Sequence, residues 1–208
     1  HEHLAAVAVR VESGERLGDP AVPRVVHQSF GLEELLGVLM DEDGPVLQFE
    51  HDIFELEDRF LTLDLVHVPG QLVRPLERVW IVNRSRERAE RLADTLRAFG
   101  APIPTDIRLT SAPAEALGEA DVVCCATSSA TPIFDDADLR PGTHINGIGS
   151  YLTSMQEVPA ATVARARVVV DQRSAAWHEA GDLVIPFQQG LIGERHVAAD
   201  LGELVLGR

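Results

Sequence analysis

The chain contains no lysine; all 18 of its basic side chains are arginine. That excludes a Schiff-base lysine, a lysine general acid and a P-loop lysine. Cysteine is nearly as scarce. Cys124 and Cys125 are adjacent in an apolar stretch, so they form neither a disulfide framework nor a metal cage. We therefore expect a reducing compartment. Aromatic residues make up 5% of the chain, with a single tyrosine, and no apolar run approaches the roughly 20 residues of a membrane-spanning helix. Positive charge is in deficit: 18 basic against 33 acidic side chains give a formal charge of −15. Such a chain is repelled by nucleic acid and by anionic lipid, so neither is expected as a partner. His27, His51, His67, His178 and His196 lack metal-ligand spacing, and His144 sits inside an apolar run as a structural histidine, so no metal site is expected. No charged-then-apolar leader follows His1. We expect the natural beginning to lie upstream and the protein to be cytoplasmic.

What is present suits a folded protein. The chain has 208 residues, 45% of them apolar, enough for one or two domains with a real core. It divides into residues 1–68 and 69–208 around the turn-rich stretch near Pro69–Pro75. In the first part, Leu4, Val7 and Val11 predict a helix over His3–Glu15, and Arg24–Phe30 reads as a strand. Residues 35–49 suggest a hairpin with Asp41–Gly44 as its turn, and residues 50–68 show no clean period.

The second part alternates. Arg78–Val82, Asp106–Leu109, Asp121–Ala126, Thr143–Gly149 and Arg167–Asp171 are strand-like. Helices fit at Ser85–Phe99, Pro113–Ala120, Ala160–Arg165, Ser174–Ala180 and Glu194–Leu206. Ser85 is placed to cap the first of these and Gly100 to stop it. Strands alternating with helices at this spacing indicate βαβ units and an α/β fold, a doubly wound sheet of Rossmann type.

Three segments could carry chemistry. Asn83, Arg84 and Ser85 follow the strand that meets the adenosine ribose in such sheets, with Arg88 one helical turn on. They present no carboxylate. An acidic residue would accept from a ribose 2′-hydroxyl, whereas guanidinium binds a 2′-phosphate, so the corner favours NADP, with NAD possible. An ordinary solvated strand-to-helix turn is the plainer alternative. Thr127, Ser128 and Ser129 end a strand at the edge where parallel sheets hold ligands; they suit a ring and a phosphate, or a simple turn. Ile148, Gly149, Ser150 and Tyr151 end another, with glycines that permit close backbone approach. A Gly-x-Gly-x-x-Gly loop is missing ahead of Arg78: residues 60–75 hold only Gly70.

From Leu76 onward the chain resembles the ornithine cyclodeaminase/μ-crystallin family. The likeness rests on PLERVWIVNRSRERAERLA, ADVVCCATSSATPIF, LRPGTHINGIGSYLTSMQEV, ARVVVDQRSAAWHEAGDL and GLIGERHVAADLGELVLGR, which occur in the family's order and spacing. Weaker matches in the first part are Arg24, similar to the family's substrate-carboxylate arginine, and a hairpin at residues 41–47. The resemblance implies a homodimer with a Rossmann-type domain at 69–208 and a smaller α+β substrate-binding and dimerising domain, partial here, at 1–68. It implies hydride transfer at the α-carbon of a small amino, imino or keto acid. Asn83, Arg84 and Ser85 would surround the adenosine end, Thr127 and Ile148–Ser150 the nicotinamide, and Arg24 and Tyr151 the substrate.

The sequence also departs from the family. Tyr151 stands where true ornithine cyclodeaminases carry a catalytic aspartate, and the substrate-site lysine is missing. Imine reduction or amino-acid dehydrogenation, as in the ketimine reductase and alanine dehydrogenase-like members, therefore fits better than cyclising deamination. The missing glycine loop, lysine and carboxy-terminal tail lead us to expect that segments of the natural protein lie outside this sequence. Three alternatives stand beside the reductase: a non-catalytic NADPH-binding dimer, an ornithine cyclodeaminase proper, and a scaffold that binds no dinucleotide.

Overall fold

From residue 76 onward, short β-branched runs alternate with segments whose Ala and Leu recur every three to four residues, and the chain folds accordingly. The computed structural model describes residues 6–11, 24–27, 76–101 and 103–206. Its strands are β1 (Ala6–Val11), β2 (Arg24–His27), β3 (Leu76–Val82), β4 (Ile107–Thr110), β5 (Val122–Cys125), β6 (His144–Gly147), β7 (Arg167–Val170) and β8 (Val197–Asp200). The helices are α1 (Arg86–Phe99), α2 (Pro113–Leu117), α3 (Ala160–Arg165), α4 (Arg173–Glu179), α5 (Gly181–Gln188) and α6 (Leu201–Val205).

The strands form one sheet in the order β4-β3-β1-β5-β6-β2-β7-β8. Every strand but β1 runs the same way; β1 is antiparallel to both β3 and β5. Helix α1 covers one face. Its Ala89, Leu92, Ala93 and Leu96 pack on Val7, Val9, Val79 and Ile81. Burial of each leucine contributes roughly 1.5–3 kcal/mol. The other face carries Ala116 and Leu117 of α2, Val163 of α3, Ala176 of α4 and Leu183 of α5 against Val123, Cys125, Ile145, Val168 and Val170. With cover on both faces, β5 and β7 can be continuously apolar. This is the doubly wound α/β architecture.

Local signals explain the well-placed elements. Ser85 caps α1 by accepting the Arg88 N–H at 3.4 Å, and Gly100 ends it at φ +72°. Glu119, just past α2, accepts from the Trp80 indole at 2.6 Å and from Arg78 at 2.9 Å, and Arg78 also bonds Asp106 at 2.6 Å. These bonds tie α2 to β3 and β4.

Two expectations need correction, and one helix was not foreseen. Residues 6–11 are a strand and not part of a helix: β-branched Val7, Val9 and Val11 recur at period two, and Val7 and Val9 point into the α1 face while Ala8 enters the other core. The single helix expected over 194–206 is a 3₁₀ turn, a strand and α6, because Asp200 and Glu203 form a reciprocal capping box that starts a helix only at Leu201. Helix α5 was not foreseen; Gly181 and Pro186 read as breakers, yet Leu183, Val184 and Pro186 are buried and packing decides. β1 and β2 both precede residue 69 and lie in the same sheet as the later strands. The hairpin expected at 35–49 and the stretch 50–75 lie outside the described residues. Among those described, no helix is long and apolar enough to cross a membrane.

Candidate functional site

The carboxyl edge of the sheet, where β3, β4 and β5 end around the amino end of β1, encloses a cavity of about 530 Å³. Its floor is apolar: Ala6, Ala8, Val82, Leu117 and Val123. One side is Asn83 and Arg84, leaving β3, another Ser111 after β4 and Pro113 at the start of α2, and the third the loop Thr127–Phe134 after β5. Among the described residues no Asp or Glu lines it, although the chain carries 33 acids. The lining instead offers a guanidinium, an amide and several hydroxyls, the groups that accept a phosphate or a ribose.

The corner at Asn83 is built by local geometry. The Asn83 side-chain oxygen accepts the Ser85 N–H at 2.8 Å, folding the chain sharply off β3, and the Asn83 N–H bonds the Thr110 carbonyl at 3.1 Å. This turn leaves Arg84 exposed at the rim. Ser85 spends its hydroxyl on the helix cap, and neither it nor Arg88 lines the cavity.

Thr127 lines the cavity, while Ile148, Gly149 and Ser150 do not. Gly149 lies against Thr127 so closely that a β-carbon on it would stand 2.7 Å from the Thr127 carbonyl carbon, in collision with the backbone. Only glycine fits this contact between the ends of β5 and β6. Ser150 is buried beneath the edge, its hydroxyl donating to the Met155 carbonyl at 3.2 Å and accepting the Asp182 N–H at 2.9 Å. Tyr151 is half exposed beside it. Arg24 begins β2 in register with His144 and Arg167, at the amino edge of the sheet. Three residue steps of backbone separate it from the carboxyl edge, about 10 Å.

Two residues central to this edge escaped the sequence reading. Glu157 is buried, and its two carboxylate oxygens accept the backbone N–H groups of Thr127 and, at 2.8 Å, Gly149. Asp182, at the start of α5, is buried too; its Oδ1 accepts the N–H groups of Glu157 at 2.8 Å and Val158 at 2.9 Å. Desolvation raises both carboxyls, Glu157 to about 8 with the Asp182 charge adding to it, and Asp182 to about 7. Both Glu157 oxygens face N–H donors, whereas Asp182 Oδ2 is buried without a hydrogen-bond partner among the described residues. Burial also pushes the neighbouring Cys125 thiol well above its ordinary value. A signal was present for Asp182, an acid embedded in the apolar run Gly181–Ile185, where a carboxylate needs partners.

The sequence profile of the Ornithine cyclodeaminase/mu-crystallin family matches residues 70–208. The Delta(1)-pyrroline-2-carboxylate reductase of Bacillus cereus is 37% identical over 137 residues, 65% of this chain and 41% of the relative. The chain thus spans about two fifths of the length of the curated relatives it matches. Among solved structures, Thermococcus litoralis Delta(1)-pyrroline-2-carboxylate reductase in complex with NADH and L-proline superposes with a TM-score of 0.63 at 21% identity, covering 91% of this chain and 49% of that one. An archaeal alanine dehydrogenase dimer with bound NAD gives 0.52 at 29% identity, covering 59% and 36%. The profile match over two thirds of its length, the crevice at the sheet's carboxyl edge and the shared fold agree: this chain belongs to the ornithine cyclodeaminase/μ-crystallin family.

Proposed function

We propose that the chain is the dinucleotide-binding part of an NAD(P)-dependent oxidoreductase that reduces a cyclic imine or interconverts an amino acid with its imino or keto acid. The observation that carries this reading is a crevice in a strongly acidic chain whose described lining holds no carboxylate, with Asn83 and Arg84 at one end and Thr127–Thr131 at the other. The family supplies the reaction class: the Bacillus cereus relative is a pyrroline-carboxylate reductase and the archaeal neighbour binds NAD. A dinucleotide fits the donor set. Asn83 and Arg84 would hold its adenosine end, with Ser85 and Arg88 shaping that turn, and Thr127 and the Ile148–Ser150 edge would receive its nicotinamide end. When bound, the nicotinamide supplies the hydride.

The protein's own groups bind and orient. Arg84, with no acid among the described lining residues, favours a 2′-phosphate, so NADP is preferred and NAD accepted. Tyr151 is the substrate-side residue at this edge, and Arg24 that of the amino-terminal part. We place the protein in the cytoplasm as a homodimer acting on a small imino, amino or keto acid.

One observation favours a second reading, binding without turnover. The slot between β3 and β5, which in a doubly wound sheet belongs to the strand leading into the phosphate loop, holds β1 in the antiparallel sense. NADPH and NADH oxidation, followed at 340 nm with cyclic imines and with keto acids plus ammonia, separates the readings. Turnover supports the reductase; enhanced NADPH fluorescence without turnover supports the binding protein. If neither appears and the melting temperature ignores millimolar NADPH, the dinucleotide reading fails.

A further inference from the structure

The last ladder bond between β5 and β6 runs from the Ile148 N–H to the Cys125 carbonyl at 2.9 Å. Past it the two chains press together at Gly149 and Thr127, and their next N–H groups have no strand partner. Buried N–H groups need an acceptor. Glu157 supplies one oxygen to each and so replaces the missing rung. Its backbone extends the brace, because its carbonyl accepts the Ile133 N–H at 2.9 Å, while the Gln156 N–H bonds the Ser129 carbonyl at 2.8 Å. Thr127, Ser129 and Ile133 all belong to the loop that walls the cavity. Asp182 holds the brace from behind through the Glu157 and Val158 N–H groups. An apolar side chain would fill this volume without the desolvation a carboxylate suffers. What the carboxylate adds is a two-point hold on two strand ends.

We propose that Glu157 is the positioning residue of this crevice: bridging the Thr127 and Gly149 N–H groups, its carboxylate fixes the wall on which the reactive ring of the dinucleotide is laid. The cofactor half of this proposal rests on the function proposed above; the bridging half does not. Glu157→Gln replaces one acceptor oxygen by an NH₂ that faces an N–H, and Glu157→Asp is too short to reach both strands. Two readouts on the full chain test the proposal. Amide exchange by ¹⁵N NMR should quicken at least tenfold at Thr127 or Gly149 in Glu157→Gln, with Ile145 and Val168 unchanged. NADPH should bind at least tenfold more weakly, while adenosine 2′,5′-bisphosphate, which reaches only the Arg84 end, stays within threefold.

Unchanged exchange at both amides overturns the proposal. So does equal weakening of both ligands, which marks general damage. Should Glu157→Gln not fold, Glu157→Asp is read by the same criteria; loss of the fold in both refutes a positioning role. If the parent chain binds neither ligand, the cofactor reading fails on its own, and the exchange rates alone decide the bridge.

Discussion

Raising the pH should loosen this protein over a range in which most proteins hardly respond, because of the Glu157–Asp182 pair. Both carboxyls hold a proton more tightly folded than unfolded, Glu157 rising from 4.5 to about 8 and Asp182 from 3.8 to about 7. Their contribution to stability is complete below pH 4 and is lost as pH rises through 7 and 8. At about 1.4 kcal/mol per pH unit, the part lost between pH 5.5 and 8.5 is about 3 kcal/mol for Glu157 and about 2 for Asp182. For a chain of this size roughly 5 kcal/mol lowers Tm by about 10–20 °C. The pair shares its charge interaction, so this is an upper figure. Circular dichroism melts at half-unit steps from pH 5.5 to 8.5 measure it. Asp182→Asn keeps an acceptor for the Glu157 and Val158 N–H groups and removes one titration. Its Tm should therefore fall by only about half as much and exceed the parent's at pH 8.5. A parent Tm that is flat or rising across this range, or an Asp182→Asn slope equal to the parent's, would refute the reasoning.

Other outcomes follow from the same geometry. Arg84→Ala should weaken NADPH about tenfold, the low end for a charge-assisted hydrogen bond at an exposed site, and leave NADH within twofold by fluorescence titration. Gly149→Ala forces a β-carbon into the Thr127 backbone and should cost about 3 kcal/mol or more in urea unfolding, with the m-value unchanged. Ser85→Ala removes the α1 cap and should lower Tm by about 2–4 °C, corresponding to about 1 kcal/mol.

The Asn83–Arg84 corner was legible because it depends on local order: an apolar strand, a short polar turn and a capped amphipathic helix sit within 22 residues, Arg78–Phe99. Thr127 was legible for the same reason, being the first hydroxyl after an apolar strand. Glu157 and Asp182 were not, since their partners are 30 and 25 residues away in sequence. A carboxylate in an apolar run announces that it needs donors but not which ones.

The amino-acid order alone determined the βαβ rhythm from residue 76, the capped α1 helix and the carboxylate-free corner, because side-chain periodicity and capping act over a few residues. Tertiary structure decided the rest. It inserted β1 antiparallel between β3 and β5, split the chain's last helix at Asp200, set Arg24 at the far edge and gathered two buried acids beneath Thr127 and Gly149. Each of those outcomes depends on which strands become neighbours and which N–H groups they leave unpaired, and only the assembled sheet settles that.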